Sequence, residues 1–505
     1  MIDAEPGTAA PGTRRETDGF GAVDVPQDAL WGAQTARSLQ FFAIGEQRMP
    51  IPIIHAMAWV KWAAAGVNAQ LGLLDPARAN AICQAALEVA EGALDDEFPL
   101  SVWQTGSGTQ SNMNVNEVVA RLATRSLRKD GAEAAAVYPN DEVNLGQSSN
   151  DVFPTAMHIA VALHCKASLL PALHELSDAL LAKAQTFAKL VKTGRTHLQD
   201  ATPVTLGQEF GAYAAQLALC EVNLRHALLA VHTLAIGGTA VGTGLNTHPQ
   251  FGARMAIRLA ACLDLPLSQA ANLFAAMAGH EALVALHASL RMFAVALLKI
   301  ASDIRLMGSG PRAGLGELHL PENEAGSSIM PGKVNPTQVE ALCMVCVQVM
   351  GHDTAIGIAA SQGQLELNVY KPLIALNCLD SARLLADAMR SFSRHCVVGI
   401  TANLPKLEQH LQNSLMLATA LVPHIGYRRA TQIARFALKH DHSLRQAALA
   451  LGIVNAAQFD AWVEPRNMLA PDQTPGMTDA APEHGQTSGP MFATAQKTGL
   501  HAPTL

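Results

Sequence analysis

Residues 206–235 read LGQEFGAYAAQLALCEVNLRHALLAVHTLA, and this stretch decides the fold. Phe210, Tyr213, Leu217, Cys220, Leu224, Leu228 and Val231 recur at steps of three and four, which lays one apolar stripe along a helix. At 1.5 Å per residue such a segment spans roughly 40–50 Å. Ala156 to Lys192, Glu281 to Met307 and Pro336 to Ala359 have the same alanine- and leucine-rich character. Helices of that length joined by short Gly/Pro connectors imply a bundle, and Pro171 is expected to kink the first of them.

Outward from this core the chain divides into five parts. Residues 1–20 are rich in Pro, Gly, Thr and acidic side chains and are expected to be a disordered arm. Residues 21–146 mix polar loops with helices at Ile54 to Leu71 and Ala77 to Leu94. The bundle domain covers 147–401. A small domain at 402–469 carries short amphipathic helices at Arg429 to His440 and Ser443 to Leu451, and 470–505 reads as a disordered tail.

Of the 505 residues 49% are hydrophobic and only 15% charged, with a mean hydropathy of +0.16. So few charges do not cover a monomer of this size, which predicts burial in an oligomer interface. The formal net charge of −7, without a Lys/Arg run, argues against a nucleic-acid partner. The apolar stretch Glu281 to Ile300 carries Glu281, His287, Arg291 and Lys299, so no segment reads as a membrane span. The N-terminus lacks an apolar signal core, and Arg14 and Arg15 stand among Asp3, Glu5, Glu16 and Asp18, unlike a transit peptide. Eight scattered cysteines, with Cys343 and Cys346 one helical turn apart, read as reduced thiols of a cytoplasmic protein.

Four polar islands interrupt the apolar sequence. Thr105 to Asn114 (TGSGTQSNMN) is dense in uncharged hydrogen-bonding side chains, either as a ligand loop or as a capped turn before a helix at Asn116 to Ala123. Gly146 to Asp151 (GQSSND) places Ser148, Ser149 and Asn150 before the long central helix, where caps and anion sites coincide. Gly194 to Pro203 (GRTHLQDATP) holds His197 beside Thr196, Gln199 and Asp200. Glu324 to Asn335 (EAGSSIMPGKVN) fails as a phosphate loop. Five residues separate Gly326 from Gly332 where four are needed, and Val334 stands in place of the hydroxyl that binds magnesium. The Gly242 to Thr247 run lacks a preceding strand and is no dinucleotide fingerprint. Residues this far apart on long helices converge more readily in an oligomer of antiparallel bundles than in one chain.

At these islands the sequence closely resembles the class II fumarases of the fumarase/aspartase superfamily, from about Glu16 to Met468. The pattern Gly-Ser-Ser-x-x-Pro-x-Lys-x-Asn is complete at Gly326 to Asn335. GAVDVP at Gly21, LWGAQT at Leu30, GGTAVGTGLN at Gly237 and PHIGY at Pro423 extend the likeness. Gly-Lys at 332–333, Ser-Gly-Thr at 107–109 and Thr-His at 196–197 resemble the hydratases, where aspartases typically show Ala-Lys and Arg-Thr-Gln.

The resemblance implies a mainly α chain of three domains, assembled as a homotetramer with a twenty-helix core and sites shared among three subunits. It implies reversible hydration of fumarate to L-malate, a step of the tricarboxylic acid cycle, with no metal or cofactor. Ser327 is then the general base on a mobile loop. Lys333 and Asn335 hold a carboxylate. Ser107, Thr109, Ser148, Ser149, Asn150 and Thr196 bind the dicarboxylate and its hydroxyl, and His197, backed by Glu340, holds water. The C3 proton of malate is weakly acidic, so the carbanion needs aimed donors and a cation, and Ser327 needs a strongly lowered pKa.

Two departures stand out. Many relatives bind a second dicarboxylate at an outer site where Arg and His precede Pro-Asn-Asp. Here Ala135 and Tyr138 precede Asn140 and Asp141, which implies an outer site that is weak or absent. The family's Asn-Lys/Arg-Phe-Glu reads Asn272-Leu-Phe-Ala275, losing an ion pair's worth of charge. Two rivals share the pattern: an aspartate ammonia-lyase with an amine-tolerant pocket at His197, and a crystallin-like structural protein without activity. Intact Ser327, Lys333, Asn335 and His197 argue against the latter.

Overall fold

The computed structural model describes residues 10–129 and 136–471. The described residues form two compact units, one within 10–192 and 205–412, the other within 193–204 and 413–471.

The first unit contains α1 (Ala33–Phe41), α2 (Ile51–Gln70), α3 (Pro76–Ala90), α4 (Thr109–Lys129), α5 (Ser149–His164), α6 (Leu170–Thr186), α7 (Leu206–Val231), α8 (Phe251–Leu263), α9 (Leu273–Ala278), α10 (Glu281–Met307), α11 (Thr337–Ala360) and α12 (Lys371–His395). Helix α10 packs on α7, α11 and α12, and α6 packs on α7 and α12, which makes the expected bundle. The stripe read from the sequence is the buried stripe of α7: all seven of its named residues are buried. That helix stops at Val231, where Thr233 and Leu234 leave to pair with Ser268 and Gln269.

In the segment Ala156 to Lys192 the helix is irregular just before Pro171, where a kink was expected, and its C-terminal bound needs correction. Helices α5 and α6 run end to end through a π-helical turn, Cys165–Leu169. This wider turn directly precedes Pro171, which lacks an N–H and could not sit in a regular helix without loss of a bond. The helix then ends at Thr186, and Val191–Thr196 is a strand, β3 in the numbering below. Lys192 is buried there against Glu209 (2.9 Å) and Glu317 (3.1 Å), long-range partners that helical periodicity cannot reveal.

The arm also differs from expectation. Thr13–Asp18 (β1) and Gly21–Pro26 (β2) form an antiparallel hairpin. The Arg14 guanidinium donates to the carbonyls of Pro26, Ala29 and Trp31 and to Glu16, tying down a segment whose composition alone suggests disorder. Residues 1–9 and the tail from 472 onward lie outside the described residues.

Strand β3 (Val191–Thr196) pairs with β4 (Gln199–Thr205). His197 and Leu198 form the two-residue turn, both left-handed at φ 55° and 59°, the geometry that matches the strand twist of a tight hairpin. In the second unit α13 (Val422–Ile425), α14 (Tyr427–His440), α15 (Leu444–Ala450) and α16 (Ala456–Trp462) are short, and the last two are capped by side chains. Ser443 with Gln446 and Asn455 with Gln458 form reciprocal capping boxes.

Three helical stretches, Ser149–Thr186, Glu281–Met307 and Thr337–Ala360, have the length and composition to cross a membrane. Every 18-residue window of these stretches nevertheless holds at least one charged side chain, such as Lys166, Arg291 or Asp353, the feature on which the sequence reading set a span aside. Their burial differs: the apolar window is 61% buried in the first and only 22% in the last, so α11 carries the most unpartnered apolar surface of the three.

Candidate functional site

The first two islands meet inside one chain. Helix α4 begins at Thr109, not at Asn116, so the first island supplies its opening turns. Gln104 anchors that end, its Oε1 accepting from the N–H and hydroxyl of Ser111, both at 3.0 Å. Ser107 and Thr109 share a hydrogen bond of 2.8 Å. Gly108, at φ +76°, allows the close approach, since a Cβ there would lie 2.0 Å from the Phe153 ring of α5. Asn112 Nδ2 then donates to Ser149 Oγ at 3.1 Å and joins the two islands.

Ser148 is the N-cap of α5, with Asp151 closing a capping box. Asp151 is buried and accepts from the N–H groups of Ser148, Gly237 and Thr239 at 2.9–3.0 Å. Burial pushes its carboxyl up to about 6, opposed by these N–H groups and by Lys61. Asn150 donates to the Ala240 carbonyl at 2.8 Å. Helix α5 thus presents its N-terminus with Ser148, Ser149 and Asn150 on it, pinned to the 237–240 loop.

The fourth island folds on itself. Ser327 Oγ accepts from the N–H groups of Ile329 (3.3 Å) and Met330 (2.9 Å). Lys333 Nζ donates to Asn335 Oδ1 at 2.8 Å, and Asn335 Nδ2 donates to the Gly326 carbonyl at 2.6 Å. Gly326 is required because a Cβ would sit 2.7 Å from Asn335 N and Lys333 O. Ser328 points to no such pair of donors among the described residues. Glu340, on the first turn of α11, lies 3.7 Å from Arg305. Thr196 and His197 belong to the second unit, exposed at the hairpin turn.

At the outer site Ala135 lies outside the described residues. Asn140 and Asp141 stand on a π-helical turn, Pro139–Val143, beside a cavity of about 600 Å³. Arg121, Arg125 and Arg128 of α4 line the same cavity, a basic group that reading only the residues before Pro139 misses. Sequence reasoning also missed Lys61, whose signal was a lone lysine in the apolar run from Ala56 to Ala65.

The family described as Lyase matches residues 21–351, and that described as Fumarase C C-terminus matches residues 417–470. With the helical bundle and its serine loop, this sets the class: a lyase. Fumarate hydratase class II of Chromobacterium violaceum is 60% identical over 456 residues, which cover 90% of this chain and 99% of that protein. Fumarate hydratase class II 2 of Bradyrhizobium diazoefficiens is 56% identical, over 92% of this chain and 98% of the relative. The crystal structure of recombinant class II fumarase from Schistosoma mansoni matches with a TM-score of 0.87 at 43% identity, covering 90% of this chain and 99% of that one. The chain belongs to the class II fumarase family.

Proposed function

We propose that this protein catalyses the reversible anti addition of water to fumarate, forming L-malate. The observation that carries the mechanism is Ser327 Oγ held under two backbone N–H groups in a loop closed by Lys333, Asn335 and Gly326. Donors aimed at an oxygen stabilise its alkoxide and make it a competent base. In the dehydration direction Ser327 takes the C3 proton of malate, and the electron pair delocalises into the adjacent carboxylate. Lys333 and Asn335 hold that aci-carboxylate. The C2 hydroxyl then leaves as water with a proton from the His197 side, and Glu340 supports His197. Ser107, Thr109, Ser148, Ser149, Asn150 and Thr196 hold the dicarboxylate. Hydration is the reverse of these steps.

The unit of function is a homotetramer, a reading supported by exposed apolar side chains on α7, α10 and α11, and the sites gather residues from neighbouring subunits. Those faces meet other subunits rather than lipid. The acidic net charge gives no electrostatic attraction for nucleic acid. Eight free cysteines fit a reducing cytoplasm. At the outer site Asn140 and Asp141 bind a dicarboxylate weakly or not at all, since Ala135 and Tyr138 supply no basic partner before Pro139 and, of the arginines lining the cavity, Arg121 is already paired with Glu16 at 3.1 Å. Full occupancy in a dicarboxylate soak would refute this.

The direct test follows fumarate absorbance on addition of L-malate and, separately, of L-aspartate. Fumarate from malate alone supports the hydratase, fumarate from aspartate alone the ammonia-lyase, and none from either a protein without activity.

A further inference from the structure

A buried cation lies beneath the N-terminus of α5. Lys61 of α2 has no exposed surface, and its Nζ donates to Asn144 Oδ1 at 2.9 Å and Gln147 Oε1 at 3.0 Å. An ammonium only donates, so both amides must turn their oxygens toward it. Gln147 agrees: its Nε2 faces the carbonyls of Val143 and Leu145. Asn144 Oδ1 also faces Asn116 at 3.2 Å and Asn112 at 3.3 Å, and the atom opposite it must in each case be the amide nitrogen, Nδ2 of Asn112 included. That same nitrogen lies 3.1 Å from Ser149 Oγ. An amide nitrogen has two hydrogens and accepts nothing, so Ser149 can only accept from Asn112. Its one hydroxyl hydrogen is left to point elsewhere.

We infer that Lys61 is a positioning residue which, through Asn144 and Asn112, fixes the Ser149 hydroxyl as a hydrogen-bond donor toward a carboxylate at the α5 N-terminus. The inference rests on Ser149 being a carboxylate ligand, as proposed above. A carboxylate is acceptor-only, so a serine presenting its lone pairs would repel it, whereas one presenting O–H binds it. The orientation of one hydroxyl thus separates attraction from repulsion. Among the described residues no hydrogen bond joins Ser149 to Asp151, whose oxygens face three backbone N–H groups. Burial draws Lys61 down to about 7, against the attraction of Asp151. The relay survives deprotonation, since a neutral amine still has two hydrogens for the two amide oxygens.

Neutron diffraction from the full wild-type chain in heavy water reads the direction without any substitution. The expected result is deuterium on Asn112 Nδ2 directed at Ser149 Oγ, with the Ser149 deuterium turned away. A Ser149 deuterium pointing at Asn112 overturns the inference. In steady-state kinetics Asn112→Asp replaces the donor by an acceptor of the same size. It should raise the KM for malate roughly 10- to 100-fold with a smaller change in kcat, matching Ser149→Ala. The double variant should be no worse than either single one. An unchanged KM in Asn112→Asp, or effects that multiply in the double variant, overturns the relay. Lys61→Met, which leaves Asn112 in place, should raise KM less and show the same non-additivity with Ser149→Ala. If Asn112→Asp does not assemble, this pair and the neutron result decide. Should the wild type form no fumarate from malate, the functional reading fails, while the deuterium positions still test the relay.

Discussion

Ser327 has two backbone N–H groups on its oxygen, and among the described residues Ser328 has no such pair. A hydroxyl becomes a base when its alkoxide is favoured, and two amide donors on its oxygen favour it. Ser327→Ala is expected to lower kcat by roughly 10²–10⁴-fold while the oligomer and the far-ultraviolet spectrum stay unchanged. Near-normal turnover in that variant would remove Ser327 from the mechanism. This loop was legible in the sequence as a polar island bracketed by Gly326 and Gly332, and the roles of its residues through the resemblance to the class II fumarase pattern. The direction of the hydrogen bonds at Ser149 was not legible. It depends on Lys61, 88 positions away in sequence, reached through Asn144 and Asn112.

At the scale of elements, helices follow their local signals and strands do not. Helix α10 has the bounds that periodicity gives, Glu281–Met307, because its apolar stripe and its charges alternate at helical steps. Helix α12 was not singled out. It carries Asp380, Arg383, Asp387, Arg390 and Arg394, which hide a buried stripe of Ile374, Cys378, Ala382, Leu385, Met389 and Phe392. The β3–β4 hairpin carries no Asn-Gly or Asp-Gly turn. His197 and Leu198 adopt left-handed backbone that favours glycine, so the residue proposed to hold water stands where turn propensity points elsewhere. Thr205 ends β4 and caps α7, exchanging hydrogen bonds of 3.0 and 2.8 Å with Gln208. Thr205→Ala should cost about 1 kcal/mol, read as a lower urea midpoint at fixed protein concentration. An unchanged midpoint would mean that α7 is held by packing alone.

For the whole molecule, the unpaired apolar faces matter most. Leu219, Val222 and Leu229 on α7, Val295 on α10, and Met344, Val347 and Ile358 on α11 are all more than half exposed in the single chain. Exposed apolar surface on this scale marks an association face. Met344→Glu with Val347→Glu should therefore shift the protein to smaller species in sedimentation and abolish turnover, because each proposed site needs more than one subunit. A fully active tetramer carrying both charges would contradict that arrangement. The interior also sets the response to acid. Burial lowers His158 to about 4, and lowers His280 and His287 in the same sense. Unfolded, these rings take a proton near pH 6.5, but the folded chain resists it. Their contribution is present above pH 6.5 and is lost as pH falls toward 4. The urea midpoint should drop between pH 7 and pH 5, and His158→Asn should flatten that slope; a midpoint that rises toward pH 5 would refute the sign.

The long-helix bundle was written in the chain, because helical period is a local property, and the serine–lysine–asparagine loop was recognisable there by its match to the family pattern. Only the tertiary structure decided that the chain ending α6 turns into a hairpin, that Arg14 orders the arm, and that the first two islands meet at Asn112 and Ser149. Each of these depends on a partner distant in sequence. A hydrogen bond across such a distance leaves no periodic mark on either segment that makes it.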